Sequence, residues 1–152
     1  MAKAMFGAGC FWGVEYKFAK VDGVNGAVSG YSGGKLDNPT YEQVCTNNTD
    51  HAEVVLVDYD PDIVSYEKLL DVFWEKHDPT TLNRQGPDIG TQYRSAIFYF
   101  DDDQRDKATE SLKNRQTSIG SRKIVTEITK ASDFWRAEEY HQEYFEKHGV
   151  GN

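Results

Sequence analysis

The 152 residues include 25 acidic and 17 basic side chains, giving a net charge of −8 that disfavours nucleic acid or an anionic membrane surface as partner. The length suits a single domain with its own core, spanning residues 1–152, and no run of about 20 apolar residues or basic-then-apolar leader points to a membrane or export, so a cytoplasmic protein is expected. Two cysteines, Cys10 and Cys45, make neither a disulfide framework nor a zinc site, and His51, His77, His141 and His148 lack the spacing that places two metal ligands on one helix face.

Lys3 to Ala8 reads as a short strand, and Val14 to Lys20 as a helix with Val14 and Phe18 on one face. Between them lies Gly9-Cys10-Phe11-Trp12-Gly13, so Cys10 falls on a strand-to-helix turn. There the free N–H groups and the helix dipole stabilise an anion, and the thiol pKa is expected to fall below its free value of about 8.5. A second strand runs from Val24 to Tyr31, followed by an irregular stretch to about Asp50. Ala52 to Tyr59, rich in valine and closed by Asp60-Pro61, is the clearest strand. Ser65 caps a helix whose Leu69, Leu70, Phe73 and Trp74 form an apolar stripe down to Lys76.

Pro79, Gly86 and Pro87 mark another loop, Ser95 to Phe100 a strand, and Asp101–Asp103 the acidic start of a helix reaching about Thr117. Lys123 to Thr129 alternates as an outer strand. The tail from Ser132 to Lys147 is expected to hold a short helix with Tyr140, Tyr144 and Phe145 on one side. Through Phe100 the order is strand, helix, strand, strand, helix, strand. This is the split βαβ order, and it predicts an α+β, two-layer ferredoxin-like core with long ordered loops and a C-terminal helical extension.

Cys10 is the candidate nucleophile, because two rings and two glycines around one thiol suit a small apolar substrate. A thiolate needs a partner for the charge that develops on its substrate. Glu53 stands at the start of an otherwise apolar strand, where desolvation would raise its pKa and keep it protonated near pH 7. Tyr41 and Tyr93 are phenolic donors on loops flanking the core strands, with Asp88 close by in sequence.

Together these segments resemble the A-type peptide methionine sulfoxide reductases. The resemblance lies in Gly9-Cys10-Phe11-Trp12-Gly13, Gly30-Tyr31-Ser32-Gly33-Gly34, Tyr41-Glu42-Gln43-Val44-Cys45, His51-Ala52-Glu53-Val54-Val55, Asp88 with Gly90-Thr91-Gln92-Tyr93-Arg94-Ser95, and Ala137-Glu138-Glu139-Tyr140-His141-Gln142. It implies reduction of methionine S-sulfoxide, free or in peptides and proteins. Cys10 would attack sulfur, Phe11 and Trp12 would hold the methyl group, and Glu53 would protonate the oxygen with help from Tyr41 and Tyr93. Asp88 would fix the polar side, and a sulfenic acid would remain on Cys10. No metal, flavin or nicotinamide is implied.

The chain carries no cysteine after Cys45, so its tail offers no resolving thiol. The resemblance then points to a one-cysteine enzyme, expected as a monomer and reduced by an external thiol such as glutathione, glutaredoxin or thioredoxin. Cys45 matches a position usually regarded as noncatalytic, and an inert buried thiol is the simpler reading there. Pro87 and the turn Asn47-Asn48-Thr49-Asp50 depart from the family's pattern. Two alternatives stand beside this reading. One is a Cys-dependent acyl hydrolase or transferase with His51 as base; the other is a noncatalytic module that captures oxidised methionine.

Overall fold

The computed structural model describes residues 2–46 and 48–148. The chain runs β1 (Ala2–Ala8), α1 (Phe11–Ala19), β2 (Val24–Ser32), α2 (Tyr41–Val44), β3 (Ala52–Tyr59) and α3 (Tyr66–Lys76). It continues with a small hairpin of β4 (Arg84–Gln85) and β5 (Asp88–Ile89), then β6 (Ser95–Tyr99), α4 (Asp102–Ile119), β7 (Glu127–Lys130), β8 (Trp135–Arg136) and α5 (Tyr144–Lys147). Six strands make one sheet in the order β7-β6-β1-β3-β2-β8, parallel only between β6 and β7. The fold is α+β with a mostly antiparallel central sheet.

Alternation along the strands divides the core. Ala4, Phe6 and Ala8 of β1 and Val55 and Val57 of β3 point to one face, where they meet Val14 and Phe18 of α1 and Leu69, Leu70 and Phe73 of α3. Met5, Val54, Ala96 and Phe98 point to the other face, which Ala131 and Phe134 cover. Glu53 shares the parity of Val55 and Val57, so β3 aims a carboxyl group into the apolar layer beside α1. A side chain at that position is tolerated only with a partner or as the neutral acid.

Several elements differ from the sequence expectations, each for a local reason. Helix α1 starts at Phe11 rather than Val14: Gly9 adopts φ +93°, which turns the chain, and Cys10 becomes the N-cap. The stretch before Asp50 holds one helical turn, α2, where Thr40 accepts from the Gln43 N–H and the Gln43 side chain accepts from the Thr40 N–H. The outer strand is shorter than Lys123–Thr129, because the Val125 N–H donates to the Pro79 carbonyl instead of to a strand.

The tail is not a continuous helix. Glu143 has φ 53°, and its N–H donates to Glu15 Oε2 at 2.8 Å, so α5 begins only at Tyr144. Tyr140 therefore lies on a separate 3₁₀ turn, Glu139–His141, and does not share a helix face with Tyr144 and Phe145. Asn47 lies outside the described residues.

Candidate active site

Two elements place the thiol. β1 delivers the chain to Gly9, whose positive φ lets Cys10 cap α1, and a Cβ at Gly9 would stand 2.9 Å from the Gln85 side chain. Cys10 is a free thiol, partly exposed, and makes no side-chain cap bond. The backbone N–H groups of Trp12 and Gly13 do favour its thiolate, as a helix start should. Burial and the charges of Glu53 and Asp88 outweigh them, and the thiol is pushed up to about 11. The expected depression of the Cys10 pKa is therefore corrected: at this N-terminus desolvation and two carboxyl groups oppose the amides and win.

Glu53 lies across the turn, 1% exposed, with Oε1 accepting from the Phe11 N–H at 3.2 Å. Its Oε2 is buried and has no protein partner. Burial, helped by the charge of Asp88 and opposed by the Phe11 N–H, lifts its pKa to about 8, so near neutrality the carboxyl carries a proton on an oxygen free to donate it. Burial first, then the Glu53 charge, raises Tyr93 to about 12 and raises Tyr41 further, so both phenols stay protonated donors. Tyr93 also feels Asp88 and Cys10. Glu53 links the five polar residues singled out from the sequence: its charge acts on Cys10, Tyr41 and Tyr93, and the charge of Asp88 acts on it.

Phe11 and Trp12 occupy the first turn of α1. Phe11 is fully buried, 5.6 Å from the Tyr31 ring and 6.4 Å from that of Tyr41. Trp12 stacks on Tyr144 at 3.8 Å with the planes 7° apart. Its indole Nε1 donates to His141 Nδ1 at 3.0 Å. The result is an aromatic wall beside a thiol, with a protonated carboxylic acid and two phenols nearby. Such a site can supply a soft nucleophile and preplaced hydrogen donors to a substrate that carries an oxygen and a small apolar end.

The family model for peptide methionine sulfoxide reductase matches residues 2–152. The chain belongs to the peptide methionine sulfoxide reductase family. The enzyme of that name from Methanothermobacter thermautotrophicus is 63% identical over 95% of this chain and 86% of its own. The crystal structure of reduced Mxr1 from Saccharomyces cerevisiae superposes with a TM-score of 0.91 at 36% identity, over 99% of this chain and 87% of that one. Mxr1 in complex with Trx2 matches with a TM-score of 0.68 at 28% identity, over 94% and 84%. The chain is accordingly a peptide-methionine (S)-S-oxide reductase, an oxidoreductase that converts methionine sulfoxide to methionine.

Within this reductase the tail contributes what residue-by-residue reading left without a role. Glu138 accepts from the Tyr31 hydroxyl and from the Tyr41 N–H, both at 2.9 Å, fixing the start of α2. His141 is 1% exposed, with its ring 4.4 Å from Tyr41 and 5.2 Å from Phe11. Gln142 binds both the N–H and the carbonyl of Ser29, tying the tail to β2. The signal for these residues was present as the segment 137–142, but no spacing rule connects it to hydrogen-bond partners 97 to 113 positions earlier.

The acyl-transfer alternative loses its base. His51 accepts the Gly34 N–H on Nδ1 at 3.0 Å and contacts the Leu36 carbonyl through Nε2 at 2.7 Å, so both ring nitrogens hold the loop and none is left for Cys10. Cys45 is exposed, not buried as expected. It caps α2 one turn after Tyr41, its N–H donates to the Tyr41 carbonyl at 3.0 Å, and its thiol shares a side-chain hydrogen bond with Tyr41 within electrostatic reach of Glu53 and Tyr93. Among the described residues no helix is long and apolar enough to cross a membrane, and no cluster of His, Cys, Asp or Glu could hold a metal.

Proposed function

We propose that Cys10 is the nucleophile that attacks the sulfoxide sulfur, with Glu53 as the proton donor to the sulfoxide oxygen. Tyr41 and Tyr93 donate hydrogen bonds to that oxygen as negative charge builds on it. Phe11 and Trp12 hold the terminal methyl group, and Asp88 borders the polar side. The oxygen leaves the substrate as a hydroxyl on Cys10, with the proton from Glu53, while the thiol proton of Cys10 replaces it on the carboxylate. Methionine and a Cys10 sulfenic acid are the balanced products. A raised thiol pKa is compatible with this sequence, since the thiol needs to ionise only as Glu53 gives up its proton.

The observation that carries the reading is the buried, unpartnered Oε2 of Glu53, protonated near neutrality one hydrogen bond away from the turn that bears Cys10. The strand order β6-β1-β3-β2 supports a split βαβ, ferredoxin-like core. Residues 1–152 are read as a single catalytic domain of a cytoplasmic monomer without a resident cofactor. Cys10 and Cys45 are the two cysteines of these 152 residues, and the reading is a one-cysteine cycle on Cys10 completed by an external thiol. The Mxr1 complex with Trx2 favours thioredoxin, with glutaredoxin and glutathione as the other donors.

The test is a single turnover. Reduced protein is mixed with one equivalent of N-acetyl methionine S-sulfoxide and no reductant, and methionine, free thiols and intact mass are read together. One methionine per chain, with one oxygen added to Cys10, is expected. No methionine and unchanged thiols would leave only capture of the sulfoxide, and loss of both thiols would make Cys45 a resolving residue.

A further inference from the structure

A cavity of about 240 Å³ opens on Cys10, lined by Gly9, Gly13, Lys76, Asp88 and Phe145 among others, and by neither Glu53, Tyr41, Tyr93, Phe11 nor Trp12. It is therefore an approach to Cys10 whose walls carry none of the proposed sulfoxide donors, with Asp88 on the border between the two. The end of α3 places Lys76 here. Its Nζ lies 3.2 Å from the point a Cβ on Gly13 would occupy, against the first turn of α1, and among the described residues Lys76 forms no ion pair. A side chain at residue 13 would fill the space the ammonium group uses. Lys76 is also not among the main influences on the Cys10 thiol.

We propose that this cavity is the entry port for the external thiol that reduces oxidised Cys10, and that Lys76 is the cation against which the attacking thiolate docks. The inference rests on the reading above, in which Cys10 leaves the first half-reaction as a sulfenic acid. Substitution at divalent sulfur proceeds in line, with the nucleophile entering opposite the leaving group. The hydroxyl of that sulfenic acid is left on the side of Glu53, Tyr41 and Tyr93, so the thiolate must come from the opposite side, and this cavity, which none of those three lines, is the approach we assign to it. Asp88 shares the cavity and would repel an anionic sulfur; the ammonium group of Lys76 and the amide end of α1 offset it.

The step balances without another reactant. A thiolate forms a bond to the Cys10 sulfur, hydroxide departs and takes up the proton the thiol released, and the products are a mixed disulfide and water. A second thiol then cleaves the disulfide, returning the Cys10 thiol. The chemistry recognised is a thiolate sulfur, whether carried by a small molecule or by a thioredoxin dithiol.

The experiment separates the two half-reactions on the full chain. Sulfenic acid is made by one equivalent of sulfoxide, and its disappearance is followed by quenching and intact mass after adding 2-mercaptoethanol, 3-mercaptopropionate, cysteamine or reduced thioredoxin, compared at equal thiolate concentration. Lys76→Gln should slow this step roughly three- to tenfold with all three small thiols, the range of a partly exposed ion pair. Lys76→Arg should remain close to wild type, Lys76→Glu should be slower than Lys76→Gln, and methionine formation in the first turnover should not change.

An effect on small thiols, with or without one on thioredoxin, supports the port. Equal rates for Lys76→Gln and wild type overturn it. So does an effect confined to 3-mercaptopropionate, which would mean that Lys76 reads a carboxylate, or one confined to thioredoxin, which would be surface steering. If wild type forms no methionine in the first turnover, the underlying reading fails before Lys76 is tested, and the proposal falls with it.

Discussion

Replacing Glu53 by Gln should make the enzyme slower and the protein more stable, and the two effects share one cause. Burial holds the Glu53 pKa at about 8 against an ordinary 4.5. The folded chain therefore keeps a proton that the unfolded chain has lost between those two pH values. Stability attached to this group is complete below pH 4.5 and is lost at about 1.4 kcal/mol per pH unit until the folded pKa is reached. At pH 7 the deficit is on the order of 3 kcal/mol. Glutamine is a neutral stand-in whose oxygen can still accept the Phe11 N–H, so Glu53→Gln should recover stability of that order at pH 7 and none at pH 4.

For catalysis the same burial is useful. A carboxyl group with a pKa near 8 is about 90% protonated at pH 7, against about 0.3% for an ordinary one. Glutamine has no proton to transfer, so methionine formation in a single turnover should fall by roughly 10²- to 10⁴-fold. The wild-type rate should decline as pH rises through about 8, and the variant should lack that limb. Chemical denaturation at pH 4, 7 and 8.5, combined with quenched single turnovers, measures both. A variant that is slow but no more stable at pH 7 than wild type would show that Glu53 is ionised in the resting protein, and the acid role would fail.

Other outcomes follow from the same geometry. Tyr93→Phe and Tyr41→Phe should each lower kcat roughly 10- to 100-fold by removing one donor to the developing oxygen charge, with unfolding little changed. Because the Glu53 charge contributes to holding the Cys10 thiol at about 11, iodoacetamide should modify Cys10 slowly at pH 9 in the wild type and faster in Glu53→Gln, as measured by mass. His141→Phe keeps a ring beside Tyr41 but removes the acceptor of the Trp12 indole; KM should rise several-fold with kcat little altered, and His141→Asn, whose oxygen can accept the bond, should restore part of it. A methyl group at Gly30 would run into the Phe134 ring and stand 2.6 Å from the Trp135 carbonyl oxygen, so Gly30→Ala should cost about 1–3 kcal/mol in thermal unfolding.

What the sequence by itself determined was local. A valine-rich run closed by Asp60-Pro61 placed β3 at residues 52–59, Ser65 marked the start of α3, and the acidic run at 101–103 marked the start of α4, because strand propensity and helix capping involve residues only a few positions apart. The candidate residues could be named for the same reason, since a carboxyl group in an apolar strand and a thiol between glycines are visible without a fold. Tertiary structure alone decided how those groups influence one another.

The helix start at Cys10 predicted an acidic thiol, yet the sign reversed because the fold buries that thiol, sets Glu53 of β3 against the same turn and brings Asp88 of the hairpin near it. Electrostatic effects in a dry site depend on distance and burial, and neither is encoded at short range. The tail shows the same division. Tyr140 and Tyr144 read as one helix face until a bond from the Glu143 N–H to Glu15, more than a hundred residues away in sequence, broke the helix and turned His141 inward onto Trp12.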